Sequence, residues 1–205
     1  MTNIAPVPPT DAPDAEPARR PRPKPGERRL QILQALAEML QQPRAERITT
    51  AALATRLGVS EAALYRHFSG KAQMWEGLID FIEQSLFGLV QQIQDREPDP
   101  RAQVGLMLAA VLQFAERNPG MTRVMAGDAL AGEDERLQAR VALLFDKLES
   151  AFKQRLREAG VADAAAAGAV LTDLLLGRLD RYARSGFRRR PTEQLDAVRA
   201  CLSVF

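Results

Sequence analysis

The sequence predicts an all-α protein, with a small helical domain near the N-terminus and a larger helical body after it. Two observations predict this class. Apolar residues recur at i, i+3, i+4 and i+7 through most of the chain after Gly26, which is the period of an amphipathic helix. No segment shows the strict apolar–polar alternation of a half-buried strand, and no repeat or Gly-rich phosphate loop occurs.

Residues 1–25 differ in composition from the rest of the chain. They hold 8 of its 13 prolines and almost no large apolar residues, so they cannot bury enough surface to fold. The segment ends in the basic run ARRPRPKPGERR. We predict a disordered tail, which either aids solubility only or adds contacts to a phosphate backbone.

Residues 26–71 are predicted to form a three-helix domain. A second helix begins at Thr49 or Thr50, whose hydroxyl can cap it, and ends at Gly58, because glycine adopts the left-handed conformation at little cost. Ser60 can cap the third helix. The first helix carries a continuous apolar stripe, formed by Leu33, Leu36, Ala37 and Leu40.

Residues 72–205 are predicted to form the body. Its expected helices span approximately 72–94, 104–115, 133–158 and 163–184, with a last one opening at 191–192. The apolar faces of the third and fourth are wider than one protomer of this size can bury; on the fourth they comprise Leu171, Leu174, Leu175 and Leu179. We therefore predict that part of these faces forms a two-fold dimer interface.

Charge and composition limit the function classes. Residues 19–71 carry 11 lysines and arginines against 4 acids, which predicts a polyanion partner at that end. The apolar run 104–115 is too short to span a bilayer. One cysteine, Cys201, cannot form an intramolecular disulfide, which favours a reducing cytoplasm. One histidine and no metal-ligand or nucleophile–base spacing argue against an enzyme, a cofactor or a metal site.

The segment TTAALATRLGVSEAALYRHF, residues 49–68, predicts a helix-turn-helix. Two short helices meet at LGVS, with glycine in the turn and the small Ala54 where the helices pack. In this motif the second helix enters the major groove of DNA. Because successive helical residues turn by about 100°, Leu64 and Phe68 share the buried face while Ala62 and Arg66 face the groove.

The candidate DNA-contacting side chains follow from this arrangement. Alanines allow close approach and contact thymine methyls, and Arg66 reads guanine or holds a phosphate. Tyr65 suits a phosphate at the groove edge, whereas His67 is open to both a structural and a functional interpretation. The full set is Thr49, Thr50, Ser60, Ala62, Ala63, Tyr65, Arg66, His67 and Lys71.

The run ITTAALATRLGVSEAALYRHFSGK resembles the DNA-binding domain of TetR-type regulators, whose hallmark is a GVS turn followed by LYxHFxxK. The resemblance implies a TetR-like fold, with a three-helix DNA-binding domain before a larger dimerisation domain. It also implies that Tyr65, His67 and Lys71 contact phosphates.

The segments LIDFIEQSLF, ERNPGMTRVMAGDAL and FRRRPTEQLDA extend the resemblance to the nucleoid occlusion branch of that family, over roughly residues 26–205. Proteins of this branch bind chromosomal sites as dimers and antagonise the division protein FtsZ over the nucleoid. This implies a nucleoid-associated homodimer. The composition adds a cytoplasmic setting with no membrane partner, and core candidates that are mostly Leu, Ala, Val and Met argue against a small-molecule effector.

Four residues are candidates for a partner-binding surface. Phe81 falls to one side of the apolar stripe of the 72–94 helix and Phe87 falls opposite it, on the face expected to be wet. Either the large body covers this helix from several sides, or the two rings belong to a partner-binding surface, since exposed aromatics on a helix often mark one. Arg117 and Asn118 offer a cation and an amide for an acidic, extended FtsZ tail. The alternative function is a ligand-responsive repressor, although the 104–115 helix offers only Gln113 as an internal polar group.

Overall fold

The computed structural model describes residues 26–42 and 48–202, and every regular element within those ranges is helical. The predicted tail lies outside them. A short 3₁₀ turn, Asp128–Leu130, separates α6 from α7. The α-helices are α1 (Glu27–Leu40), α2 (Thr50–Leu57), α3 (Glu61–Tyr65), α4 (Lys71–Arg96), α5 (Pro100–Arg117), α6 (Pro119–Met125), α7 (Glu135–Glu158), α8 (Ala164–Arg184) and α9 (Leu195–Leu202).

Helices α1, α2 and α3 form the N-terminal domain, and their ends follow local chemistry. Thr49 caps α2, because its hydroxyl accepts the N–H of Ala52 at 3.1 Å. Gly58 closes α2 at φ 64°, in the left-handed region. The predicted stripe of α1 is buried against this domain and the body. The all-α class and the division into a small and a larger helical unit are confirmed.

Helices α4 and α5 form an antiparallel hairpin that is the axis of the body. The three residues between them include Asp99, whose carboxylate accepts the N–H groups of Arg101 and Ala102. Pro100 occupies the first turn of α5, where a missing N–H has no cost. The first turns of α4 also pack beneath α2, since Trp75 is buried between them, so this helix joins the two units.

Helix α6 packs against α1 at Gly120. This helix was not predicted, because the sequence after Asn118 was interpreted only as a helix end. A Cβ atom built on Gly120 would lie 1.8 Å from the carbonyl oxygen of Ala37 in α1. Glycine is therefore required for the approach of the two backbones.

Helices α7 and α8 pack along each other, and this contact corrects the prediction about their leucines. Leu171, Leu175 and Leu179 face the interior of their own protomer and are fully buried there, because α5 and α6 also cover α8. Leu174 is half-buried. The large apolar side chains that α7 and α8 leave exposed are Leu143, Val170 and Leu176.

The last helix begins at Leu195, three residues later than Thr192, because residues 191–194 form turns and Gln194 adopts a φ of 58°. Leu195 and Val198 pack against the core. No helix among the described residues is long and apolar enough to cross a membrane.

Candidate nucleic-acid interface

The third helix presents the predicted buried and exposed faces. Leu64 and Phe68 are each 1% exposed, whereas Ala62 and Arg66 are open to solvent on the other side. Ala63 is half-buried at the flank. Helix α3 ends at Tyr65, earlier than the angular assignment assumed, so Arg66 and Phe68 lie in the turn that follows it. The segment 61–68 still keeps Leu64 and Phe68 inward and leaves Ala62 and Arg66 exposed.

Tyr65 is held in place by a polar chain that links α2 to α3. The Thr50 hydroxyl donates to the Glu61 carboxylate at 2.6 Å, and the Tyr65 hydroxyl lies 3.4 Å from the Thr50 hydroxyl oxygen. The tyrosine remains 48% exposed. The contact between Thr50 and Glu61 links the start of α2 to the first turn of α3.

The hydroxyls of Thr49 and Ser60 lie on this exposed surface, at the starts of α2 and α3. Thr49 already accepts one backbone N–H, but its own hydroxyl proton stays available for a phosphate oxygen. Ser60 forms no side-chain capping bond, contrary to the predicted cap, although it precedes α3.

Arg29 of α1 contacts the segment that follows α3, at His67 and Phe68. Its guanidinium lies 4.2 Å from the centre of the Phe68 ring and donates to the backbone oxygen of His67 at 3.3 Å. The His67 side chain is exposed, so it is not a buried structural histidine. Sequence reasoning missed Arg29, because it lies 38 residues from the group it contacts.

Lys71 does not point freely into solvent. Its ammonium pairs with the carboxylate of Glu133, which precedes α7, with Nζ and Oε1 2.5 Å apart. The Glu133 side chain is only 11% exposed. A phosphate that approaches Lys71 therefore meets a body acid beside it. This contact spans 62 residues and no local sequence signal indicated it.

The proposed partner-binding residues have mixed surroundings. Phe81 and Phe87 are both half-buried and pack against the core, so the expectation that Phe87 lies on a fully wet face is wrong. The reason is that α7 crosses α4 here, with Arg140 paired to Asp80 at 2.6 Å. Phe87 lines an open pocket of about 360 Å³ between these helices.

Arg117 and Asn118 lie where α5 ends and α6 begins. Arg117 is exposed, as a cation receiving an acidic partner requires. The amide of Asn118 donates to the backbone oxygen of Phe114 at 2.8 Å, and its backbone oxygen accepts the N–H of Thr122. One amide proton of Asn118 is therefore committed to the helix junction.

A helix-turn-helix with an exposed alanine, arginine and tyrosine face, set on a larger helical body, defines a DNA-binding regulator. Residues 32–78 match the bacterial regulatory proteins of the tetR family. Residues 100–203 match the SlmA-like C-terminal domain of tetracyclin-repressor-like proteins. The chain belongs to the TetR family and, within it, to the SlmA-type nucleoid occlusion factors.

Two comparisons support this assignment and one supports the fold alone. The chain is 50% identical over 176 residues to nucleoid occlusion factor SlmA of Alteromonas mediterranea, covering 82% of this chain and 90% of that protein. It is 50% identical over 177 residues to that of Idiomarina loihiensis, covering 83% and 90%. A TetR-like regulator from Rhodococcus sp. RHA1 shares the fold, with a TM-score of 0.69, 19% identity and coverage of 90% and 94%.

The exposed face predicts how individual substitutions change DNA binding. Lys71→Ala is expected to weaken binding similarly for all sequences and to lower the slope of log K against log salt by about 1, because its phosphate contact releases a counterion. Tyr65→Ala is expected to weaken binding similarly for all sequences without changing the slope, because a neutral phenol displaces no counterion. Arg66→Ala is expected to relax sequence preference. Binding is measured by fluorescence anisotropy over a salt series. Arg96→Ala, at the far end of α4, is the matched control; unchanged affinity in both test variants would refute the docking.

Proposed function

We propose that the protein binds chromosomal sites as a homodimer and, while bound, antagonises assembly of FtsZ over the nucleoid. The observation that supports this most strongly is the 50% identity to SlmA proteins, which extends over 82% of the chain and includes the body. Regulators that respond to different signals share the helix-turn-helix, so similarity in the body carries the functional argument. On this proposal the protein is nucleoid-associated.

The proposed contact surface for FtsZ is the open end of the α4–α5 hairpin, where α5 finishes at Arg117, and not the turn at 97–99. Helix α5 runs back along α4 from their shared turn and is eight residues shorter. Its last residue therefore lies beside a point of α4 that is about 12 Å, measured along the helix axis, from the first residue of α4. Phe81 lies at a similar level, about 15 Å from that start. The exposed cation of Arg117 and the half-buried ring of Phe81 therefore lie at similar positions along the axis of α4. Phe87 lies further along α4 against α7, and Asn118 adds the adjacent amide.

The alternative, a repressor controlled by a small molecule, requires an internal polar pocket. Gln113, the single polar candidate within 104–115, is exposed. Two pockets that the described residues line, one between α4 and α7 and one between α7 and α8, open to solvent. These observations favour the FtsZ proposal over an enclosed effector site.

The test is sedimentation of FtsZ polymers with purified protein and a duplex that carries its site. Wild type with DNA is expected to reduce the sedimented FtsZ, whereas Arg117→Asp and Phe81→Ala are expected to lose this effect and still bind the duplex. Arg96→Asp, at the other end of the hairpin, supplies the same charge reversal as a control. The site assignment fails if both variants inhibit as wild type does. Release of DNA by a small molecule, with no effect on FtsZ, would favour the repressor.

A further inference from the structure

The segment after α8 concentrates positive charge in the body. Residues 178–190 contain six arginines and one acid, Asp180. Three of the arginines are consecutive and exposed in the loop 185–190, here called the arginine loop; they are Arg188, Arg189 and Arg190. Among residues 26–42 and 48–202, no carboxylate forms an ion pair with Arg188 or Arg189. The side chains of these three arginines are exposed, so packing of the core does not account for the excess of positive charge in the loop.

The arginine loop has a defined conformation. The Ser185 hydroxyl accepts the backbone N–H groups of Arg188 and Arg189 at 3.0 and 2.9 Å. Phe187 adopts a φ of 64°, which is strained for any residue except glycine. Its ring packs edge-on against Tyr182, with the centroids 5.2 Å apart. Backbone strain that the surroundings maintain is concentrated at functional sites in proteins.

The loop is anchored to the end of α5 through Glu116. The Tyr182 hydroxyl donates to the Glu116 backbone oxygen at 3.2 Å, and the Thr192 hydroxyl donates to the Glu116 carboxylate. Burial raises the pKa of Tyr182 above its usual 10.0, and the Glu116 charge raises it further, while Arg190 lowers it. The phenol is therefore a neutral donor at physiological pH. These contacts bring the loop to the residue that precedes Arg117.

We propose that the arginine loop and Arg117 form one binding surface for an acidic, extended peptide segment. This deepens the FtsZ site and rests on the proposed function for the identity of the partner. The guanidinium groups of Arg188 and Arg189 match carboxylates in a bidentate geometry. Arg190 already has an acid of this chain beside it, since its Nε lies 3.9 Å from the Glu116 carboxylate, so the carboxylates of a partner are left to Arg188 and Arg189.

The position of the loop favours a peptide over DNA. Its anchor is at the end of α5, about 12 Å along α4 from Lys71, and the hydrogen bonds and ion pair of its arginines reach Ser185, Glu193 and Glu116 rather than α2 or α3. That separation exceeds the Debye length of about 8 Å at physiological salt, so phosphates held by Lys71 act on the loop only weakly. The arginine loop is therefore not part of the proposed DNA-contacting surface of the helix-turn-helix.

The experiment compares Arg188→Gln/Arg189→Gln with Arg96→Gln/Arg101→Gln, which removes the same charge at the tip of the α4–α5 hairpin. The probe is a fluorescein-labelled, twelve-residue peptide that alternates glutamate with serine; its glutamine counterpart is the neutral reference. The loop variant is expected to bind the acidic probe about threefold to tenfold more weakly than wild type, because two exposed ion pairs are lost. The tip variant is expected to bind it as wild type does.

Binding of the specific duplex and sedimentation of FtsZ separate the remaining outcomes. The loop variant is expected to retain duplex affinity within about twofold, since the loop lies beyond the screening distance. Equal loss of probe binding in both variants, or no loss in the loop variant, overturns the proposal. Loss of duplex affinity with unchanged probe binding also overturns it and assigns the loop to DNA. If wild type binds the probe through the loop but leaves FtsZ polymers intact, the acidic-peptide surface stands and the FtsZ function fails.

Discussion

Gly120→Ala is expected to lower the free energy of unfolding by about 3 kcal/mol, the upper end of the usual overpacking cost. The added Cβ would lie 1.8 Å from the carbonyl oxygen of Ala37 and 2.8 Å from its carbonyl carbon. Both are backbone atoms of the last turn of α1, so no side-chain rotation relieves the clash. Helix α1 must move away from α6, and the helix-turn-helix moves with it. DNA affinity is therefore expected to fall as well.

Urea denaturation followed by tryptophan fluorescence measures this effect, because Trp75 is the only tryptophan and is buried where α4 meets α2. The control is Gly88→Ala in α4. Nothing lies within 4 Å of a Cβ at Gly88, so alanine there is expected to raise stability by about 0.5–1 kcal/mol through helix propensity. A Gly120→Ala protein as stable as wild type would show that α1 and α6 do not pack as closely as described.

Leu176→Arg is expected to convert a dimer into a soluble monomer and to reduce affinity for a palindromic site by at least about 100-fold, because two linked half-site contacts are lost. Leu176 is 37% exposed and lies beside an open groove between α7 and α8, whose lining includes Phe145 and Ala142. A second copy of the chain would cover this apolar surface in a two-fold arrangement. The measurement is analytical ultracentrifugation at micromolar concentration.

Leu175→Arg is the informative contrast. Leu175 is 0% exposed in the core of its own protomer, so an arginine there buries an uncompensated charge and is expected to give insoluble protein. Gln92→Arg, on an exposed position of α4, controls for added charge. A Leu176→Arg protein that still sediments as a dimer would place the interface elsewhere.

The sequence predicted local structure well because local chemistry determines it. Thr49 and Gly58 delimit α2 through one capping bond and one left-handed residue, both visible in the printed sequence. The faces of the third helix followed from angular spacing around Leu64. Local chemistry does not determine whether an apolar face packs inside its own protomer or stays exposed. Leu175 and Leu176 are adjacent in one leucine-rich run, and only the positions of α5, α6 and α7 decide which is buried.

Contacts between distant residues were also beyond sequence reasoning. Arg29 reaches the end of the third helix across 38 residues, and Glu133 reaches Lys71 across 62. Neither pair has a spacing that distinguishes it from many other charged pairs. The three consecutive arginines were visible in the sequence, but the conformation of their loop depends on Ser185 and on the positive φ of Phe187, which only the folded chain reveals.

On the proposed docking, in which Lys71 contacts a phosphate, its ion pair with Glu133 couples DNA affinity to the segment before α7. A phosphate at Lys71 carries the same sign of charge as Glu133, so occupancy of one weakens the hold of the other on the shared ammonium. Thermodynamic linkage is reciprocal. Any event that draws Glu133 away from Lys71 therefore strengthens DNA binding by the same factor by which bound DNA favours that event, and the segment before α7 can act as a sensor of the occupied operator.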